Sequence, residues 1–165
     1  MTTENSQALL RQCLGQFATG VTVVTCKDDR GRACGITANS FSSVSLEPPL
    51  VLWNIAKSSN SLEAFLNAEH YAFHILAAGQ EALSQHFART DHTRFDRIDY
   101  SDSAEGVPIL PGCIAVLHCS TRQTIDCGDH HIIIGHVDRY DADDGEPLLF
   151  FRSGYRTLAD PDGSD

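Results

Sequence analysis

Long apolar runs are missing from this sequence: none approaches the roughly 20 residues a membrane-spanning helix needs, so no membrane span is expected. Basic residues are scarce as well, with 12 Lys and Arg against 22 Asp and Glu and a net charge of −10. Such a surface repels a nucleic-acid duplex and an anionic membrane on average, so neither is an expected partner. A small anionic ligand stays open, because a site can be locally positive or rich in backbone N–H donors. CxxC spacing is absent although six cysteines (13, 26, 34, 113, 119 and 127) occur, which excludes a thioredoxin-like motif and a zinc ribbon. In a reducing compartment such thiols read as small buried apolar residues. There is no HExxH, P-loop or GxSxG. No GxGxxG follows a strand, so a Rossmann dinucleotide fold is not expected. The segment Met1–Gln7 is polar and lacks the basic-then-apolar order of a secretory leader, which points to a cytoplasmic location.

What is present reads as one domain, since 165 residues fit a single core that needs no metal or disulfide staple. Leu10, Cys13, Leu14 and Phe17 are spaced for an amphipathic helix over 4–17 that ends near Gly20. Residues 21–26 are β-branched and read as a strand, 28–31 as a turn and 32–38 as the returning strand. Pro48 and Pro49 forbid helix and deliver the chain into 50–55, a strand apolar on both faces. Asn60 with Glu63 resembles a capping box before a short helix whose stripe is Leu62, Phe65 and Leu66. A strand over 71–76 and a short helix over 80–88 follow, then a charged segment over 89–112 that reads as a long surface loop. Three more strand-like runs occupy 113–125, 130–140 and 147–152. Closely spaced strands joined by short turns favour a closed or nearly closed antiparallel barrel with a few peripheral helices.

The stretch 35–45, rich in small side chains and hydroxyls, lies where a strand gives way to a turn. Small residues let a planar ligand approach the backbone, and hydroxyls with exposed N–H groups suit a phosphate or a polar ring edge. Ala56, Lys57, Ser58, Ser59 and Asn60 form a second such element, a lysine and two hydroxyls at a strand end just before a helix. Both also read as ordinary loop and cap chemistry; bracketing one interior strand, they make a candidate anion-and-ring site. The histidines at 118, 130, 131 and 136 invite a zinc reading, but His130 and His131 point to opposite faces of a strand. No metal site and no catalytic acid, base or nucleophile is assigned. Trp53 reads as core.

These motifs resemble the short-chain flavin reductases, the reductase halves of two-component flavin-dependent monooxygenases. The markers are Phe17-Ala18-Thr19-Gly20-Val21, Thr37-Ala38-Asn39-Ser40-Phe41, Ser43-Val44-Ser45 with Pro48-Pro49, Lys57-Ser58-Ser59, Gly128-Asp129-His130, and Tyr155-Arg156. The resemblance implies one domain over 1–165, with a core at 10–158 and a frayed tail at 159–165. It implies a mainly β fold: a split antiparallel β-barrel of the FMN-binding kind with a few peripheral α-helices, as a homodimer. By the same resemblance Thr37, Ala38, Asn39 and Ser40 meet the isoalloxazine edge and phosphate region of FMN or FAD. Ile55, Ala56, Lys57, Ser58 and Ser59 run along the ribityl and phosphate part, and Phe87 and Ala88 border the flavin. His130 lies beside the nicotinamide and Tyr155 helps close that pocket. The implied reaction is hydride transfer from NADH, less often NADPH, to flavin, which leaves reduced for a separate oxygenase. A non-catalytic flavin carrier and a flavoenzyme with tightly bound flavin are the alternatives. Two positions depart from the pattern: Asn60 stands where a basic residue is common, and His131 where small hydroxyl residues are.

Overall fold

Residues 21–26 are buried without a break, so this segment needs packed layers on both of its faces. In the computed structural model, which describes residues 3–89 and 95–159, those layers come from a curled sheet and the elements laid over it. In chain order these are α1 (Thr3–Leu14), β1 (Thr19–Gly20), β2 (Thr22–Lys27), β3 (Ala33–Ala38), β4 (Ser42–Leu46), β5 (Pro49–Ala56), α2 (Leu62–Asn67) and β6 (His70–Ile75). A 3-10 turn at Ala78–Gln80 leads into α3 (Glu81–Ala88). Then come β7 (Ser101–Asp102), β8 (Pro108–Ile109), β9 (Ala115–Cys127), β10 (His130–Ala142), β11 (Leu149–Phe151) and β12 (Gly154–Arg156).

The main sheet is antiparallel with seven strands in the order β3-β2-β6-β9-β10-β5-β4. A smaller sheet, β1-β11-β12, sits beside it. Among the described residues no ladder joins the edge strands β3 and β4, so the barrel is split rather than closed. The register of β9 against β10 shifts twice, next to Gly135 and before Arg139. Such shifts bend a sheet and raise its twist. The Glu47–Pro48 peptide is cis, within the turn between β4 and β5.

Alternate residues of β5 point inward: Val51, Trp53 and Ile55 are buried, and the residues between them are half-buried. Inside the curl Trp53 meets Phe65 of α2 edge-on at 5.0 Å and Phe73 at 6.2 Å, and Tyr71 meets Phe73 at 5.5 Å. Removing one such buried ring costs about 3–5 kcal/mol, so this cluster fixes α2, and with it the turn that precedes α2. A second core lies on the other face of β2, where Val21, Val23, Leu76, Phe87, Leu110 and Leu148 pack together. Gly35 permits this layer: a Cβ there would come within 2.6 Å of the Phe87 ring.

Three expectations need correction. Helix α1 ends at Leu14, and Leu10, Cys13, Leu14 and Phe17 are all exposed; the apolar stripe points away from the barrel. The segment 89–112 is more than a surface loop, because β7 pairs with β8 and Val107, Pro108 and Leu110 are buried. The backbone N–H of Leu110 donates to Nε2 of the buried His74. Helix α2 starts at Leu62 after Ser61, and it is the Ser59 hydroxyl that accepts the Ser61 N–H. Residues 160–165, most of the expected tail, lie outside the described residues. No helix among the described residues is long and apolar enough to cross a membrane.

Candidate functional site

Directly opposed residues in an antiparallel pair share a face, as do alternate residues along one strand. His130 opposes Ala56 and Ile132 opposes Asn54. The side chains of Asn54, Ala56, His130 and Ile132 therefore line one face of the β5–β10 pair, the face turned away from Trp53. The chain leaving β3 comes to this face as well. The Ser40 hydroxyl accepts the Asn54 N–H at 2.9 Å and lies 3.3 Å from the Asn54 carbonyl, to which it donates. One side chain thus takes the place of a missing ladder bond and clamps the hydroxyl-rich turn to β5. Asn39 is exposed beside it.

At the end of β5 the backbone turns sharply. The Ser59 N–H returns to the Ala56 carbonyl at 2.9 Å, and the Lys57 N–H donates to the Asp129 carbonyl at 2.9 Å. Lys57 Nζ pairs with Asp126 at 2.7 Å; both groups are well exposed, so the ammonium keeps an open side. Lys57 holds the Asp126 carboxyl below the usual carboxylate range. Ser58 is exposed next to Lys57. His130 Nδ1 lies 2.7 Å from an Asp129 carboxylate oxygen, and the imidazole lowers that carboxyl's pKa in turn. This bond fixes the ring's position and leaves Nε2 pointing elsewhere.

Thr37 and Tyr155 belong to a neighbouring linkage. The Thr37 hydroxyl donates to the Ser84 carbonyl on α3 at 2.6 Å, and the Ser84 and Tyr155 hydroxyls are 2.8 Å apart. Three elements remote in sequence are joined there: β3, α3 and the β11–β12 hairpin. Tyr155 also packs edge-on against Phe150 at 5.5 Å. Ala38 is buried, with its carbonyl taken by the Thr22 hydroxyl at 2.7 Å. Ile55 and Phe87 are core residues, 1% and 0% exposed, whereas Ala88 is exposed. The structure thus brings Ser40, Ala56, Lys57 and His130 to one end and face of β5, ties Thr37 to Tyr155 through Ser84, and keeps the Ile55 and Phe87 side chains inside.

Two residues escaped the sequence reading. Asn54 is the one polar residue in the run Leu50–Ile55, a signal that was legible, and its Oδ1 is buried without a hydrogen-bond partner. An unpaired buried amide oxygen costs on the order of 1–3 kcal/mol, so this face suits a ligand edge that carries a donor. Ser84 gave no signal, because its role depends on where α3 docks. No group of three or more potential metal ligands is gathered among the described residues.

An uncharged rim at Ser40 and Asn54, with a lysine and two serines one turn away, fits a planar heterocycle carrying a phosphate tail. A family profile described as a flavin reductase like domain matches residues 14–159. FMN reductase (NADH) SmoA of Agrobacterium fabrum is 49% identical over 147 residues, covering 89% of this chain and 83% of that protein. The reductase component of a flavin-dependent trigonelline monooxygenase from Acinetobacter baylyi is 44% identical over 91% of this chain, which spans only 48% of that relative. Among solved structures, the NADH:FAD oxidoreductase of Streptomyces globisporus, in complex with NAD and FAD fragments, superposes with a TM-score of 0.90 at 36% identity, covering 99% of each chain. On fold and sequence alike, the chain belongs to the flavin reductase like family.

Proposed function

We propose that this chain is an NADH-dependent flavin reductase that binds FMN or FAD along the exposed face of β5 and passes the reduced flavin to a separate oxygenase. The observation that carries the site is the clamp of Ser40 on Asn54, which sets the hydroxyl-rich turn beside the Lys57–Ser59 turn. Lys57, Ser58 and Ser59 hold the phosphate, with the charge of Lys57 only partly offset by Asp126. Asn39, Ser40 and Asn54 meet the polar edge of the ring, and Ala56 keeps the face flat. Bound there, flavin supplies a hydride acceptor. The task left to the protein is to place two rings face to face, and no proton-transfer residue is required. His130, held by Asp129, orients the nicotinamide amide or phosphate, while the Thr37–Ser84–Tyr155 linkage fixes the wall on the hairpin side. A face this open suits a protein that releases its flavin. NADPH is a weaker alternative donor in this reading, and the setting is cytoplasmic.

The active form in this proposal is a homodimer. Leu10, Leu14 and Phe17 present an apolar stripe with Phe17 78% exposed, and Leu46 on the edge strand β4 is 91% exposed. A second copy would cover them. The test of the activity is absorbance at 340 nm with NADH or NADPH, with and without FMN or FAD. Loss of NADH that requires added flavin and saturates with it is expected. No loss with either flavin ends the proposal, and turnover without added flavin by a yellow protein would point to a resident cofactor.

A further inference from the structure

Two cysteines face each other across the β2–β3 hairpin and take no part in the flavin site. Cys26 and Cys34 are register partners, so both side chains project to the same face of the sheet. The Cys34 thiol donates to the Arg32 carbonyl at 3.6 Å and lies close enough to Cys26 to raise that thiol's pKa. Cys26 is sealed in the barrel core, whereas Cys34 is half-buried and packs against that core. Cys34 also lines a cavity of about 430 Å³ that lies between the hairpin turn and the start of α2, with Asp29, Arg32, Asn60 and Glu63 in its walls. Cys34 lines the cavity, whereas Cys26 is fully buried and does not. Opposed Cα atoms in antiparallel strands lie about 4.5–5.5 Å apart, inside the span of about 4.4–6.8 Å that a disulfide bridges. The neighbouring Cys34 thiol and burial push the Cys26 thiol well above its usual range, and Arg32 lies within electrostatic reach of Cys34. Cys34, half-buried and lining the cavity, is therefore the thiol that an oxidant from solvent meets first.

We propose that Cys26 and Cys34 form a peroxide-oxidisable dithiol, a site of reversible disulfide formation inside the β2–β3 hairpin. The Cys34 thiolate attacks one oxygen of hydrogen peroxide: an S–O bond forms, the O–O bond breaks, and the hydroxide that leaves is protonated to water. The Cys26 sulfur then attacks the resulting sulfenic acid. The S–S bond forms, the S–O bond breaks, and a second water departs with the Cys26 proton. Two thiols lose two electrons and two protons in total, and one peroxide becomes two waters. Reduced flavin that escapes into aerated solution reacts with dioxygen to give oxidised flavin and hydrogen peroxide, so the oxidant arises from uncoupled turnover. That source rests on the flavin reductase reading; the dithiol chemistry does not.

Cleavage after Arg11 and Lys27 would leave Cys13 and Cys26 on one peptide. The test therefore uses the full chain carrying Cys13→Ser and Cys127→Ser, both at exposed positions. The reduced protein is treated with hydrogen peroxide, unfolded in an alkylating agent, and mapped by mass spectrometry. The expected result is loss of two alkylatable thiols, a peptide linking Cys26 to Cys34, and recovery of both thiols with dithiothreitol. Adding Cys34→Ser should abolish the linkage, and the peptide map of the parent decides the matter alone if that variant folds poorly. Full alkylation after peroxide, or a linkage between other cysteines, overturns the proposal. Because peroxide is added directly, that failure is distinct from failure of the NADH assay.

Discussion

His74 is sealed between β2 and the segment that follows β8. Leu110 N–H donates to Nε2, so the ring proton sits on Nδ1 and is given to the Val23 carbonyl at 3.1 Å. Burial pulls its pKa from the ordinary 6.5 down to about 4. The folded state thus binds fewer protons than the unfolded chain between those values. The stabilisation is complete above the unfolded pKa and is lost as pH falls towards the folded one. His118 shifts the same way, again chiefly through burial. Urea unfolding at pH 7.5 and pH 5 should show about 2 kcal/mol less stability at the lower pH from His74 alone; a His74→Phe variant should lose most of that slope. Equal stabilities at both pH values in the native chain would contradict the assignment. In the proposed site, His130 is the residue assigned to the nicotinamide. His130→Ala should raise KM for NADH roughly tenfold, the effect of about 1.4 kcal/mol, and leave the flavin KM within about twofold. Equal effects on both would show that His130 does not discriminate between the two ligands.

Among the elements, the contact of α3 with β3 decides whether the Thr37–Ser84–Tyr155 linkage exists at all. Gly35 gives α3 its approach, with Phe87 and Phe95 both within contact of the missing Cβ. Gly35→Ala should destabilise the fold by about 1–3 kcal/mol, and a thermal melt that does not fall would show that α3 can shift without loss. The sequence made most elements legible, because β2, β5 and β6 carry β-branched or aromatic runs bounded by turn residues and α2 shows its stripe plainly. Docking was not legible. The resemblance places Thr37 at the flavin, and no local pattern says that its hydroxyl also donates to an α3 carbonyl, a bond with a partner 47 residues away. Phe87 read as a flavin neighbour from the resemblance, and no local pattern says that it plugs the space above Gly35. The apolar stripe of α1 was visible, but periodicity cannot say whether such a stripe meets its own barrel or another molecule.

For the molecule as a whole, that stripe and the open edge of the barrel bear on assembly. Phe17→Asp places a charge in the middle of the exposed apolar surface. Sedimentation should find a dimer for the native chain and a shift towards monomer for this variant; a native monomer at micromolar concentration would remove the dimer from the account. The acidic surface and the split barrel leave one strand end where a lysine, hydroxyls, an amide and a histidine converge, and the functional reading depends on that convergence. A crystal structure with FMN bound measures it most directly. The account predicts the ring edge within hydrogen-bond distance of Ser40 or Asn54 and the phosphate at Lys57, Ser58 and Ser59. A flavin seated elsewhere, with both turns facing solvent, would contradict it.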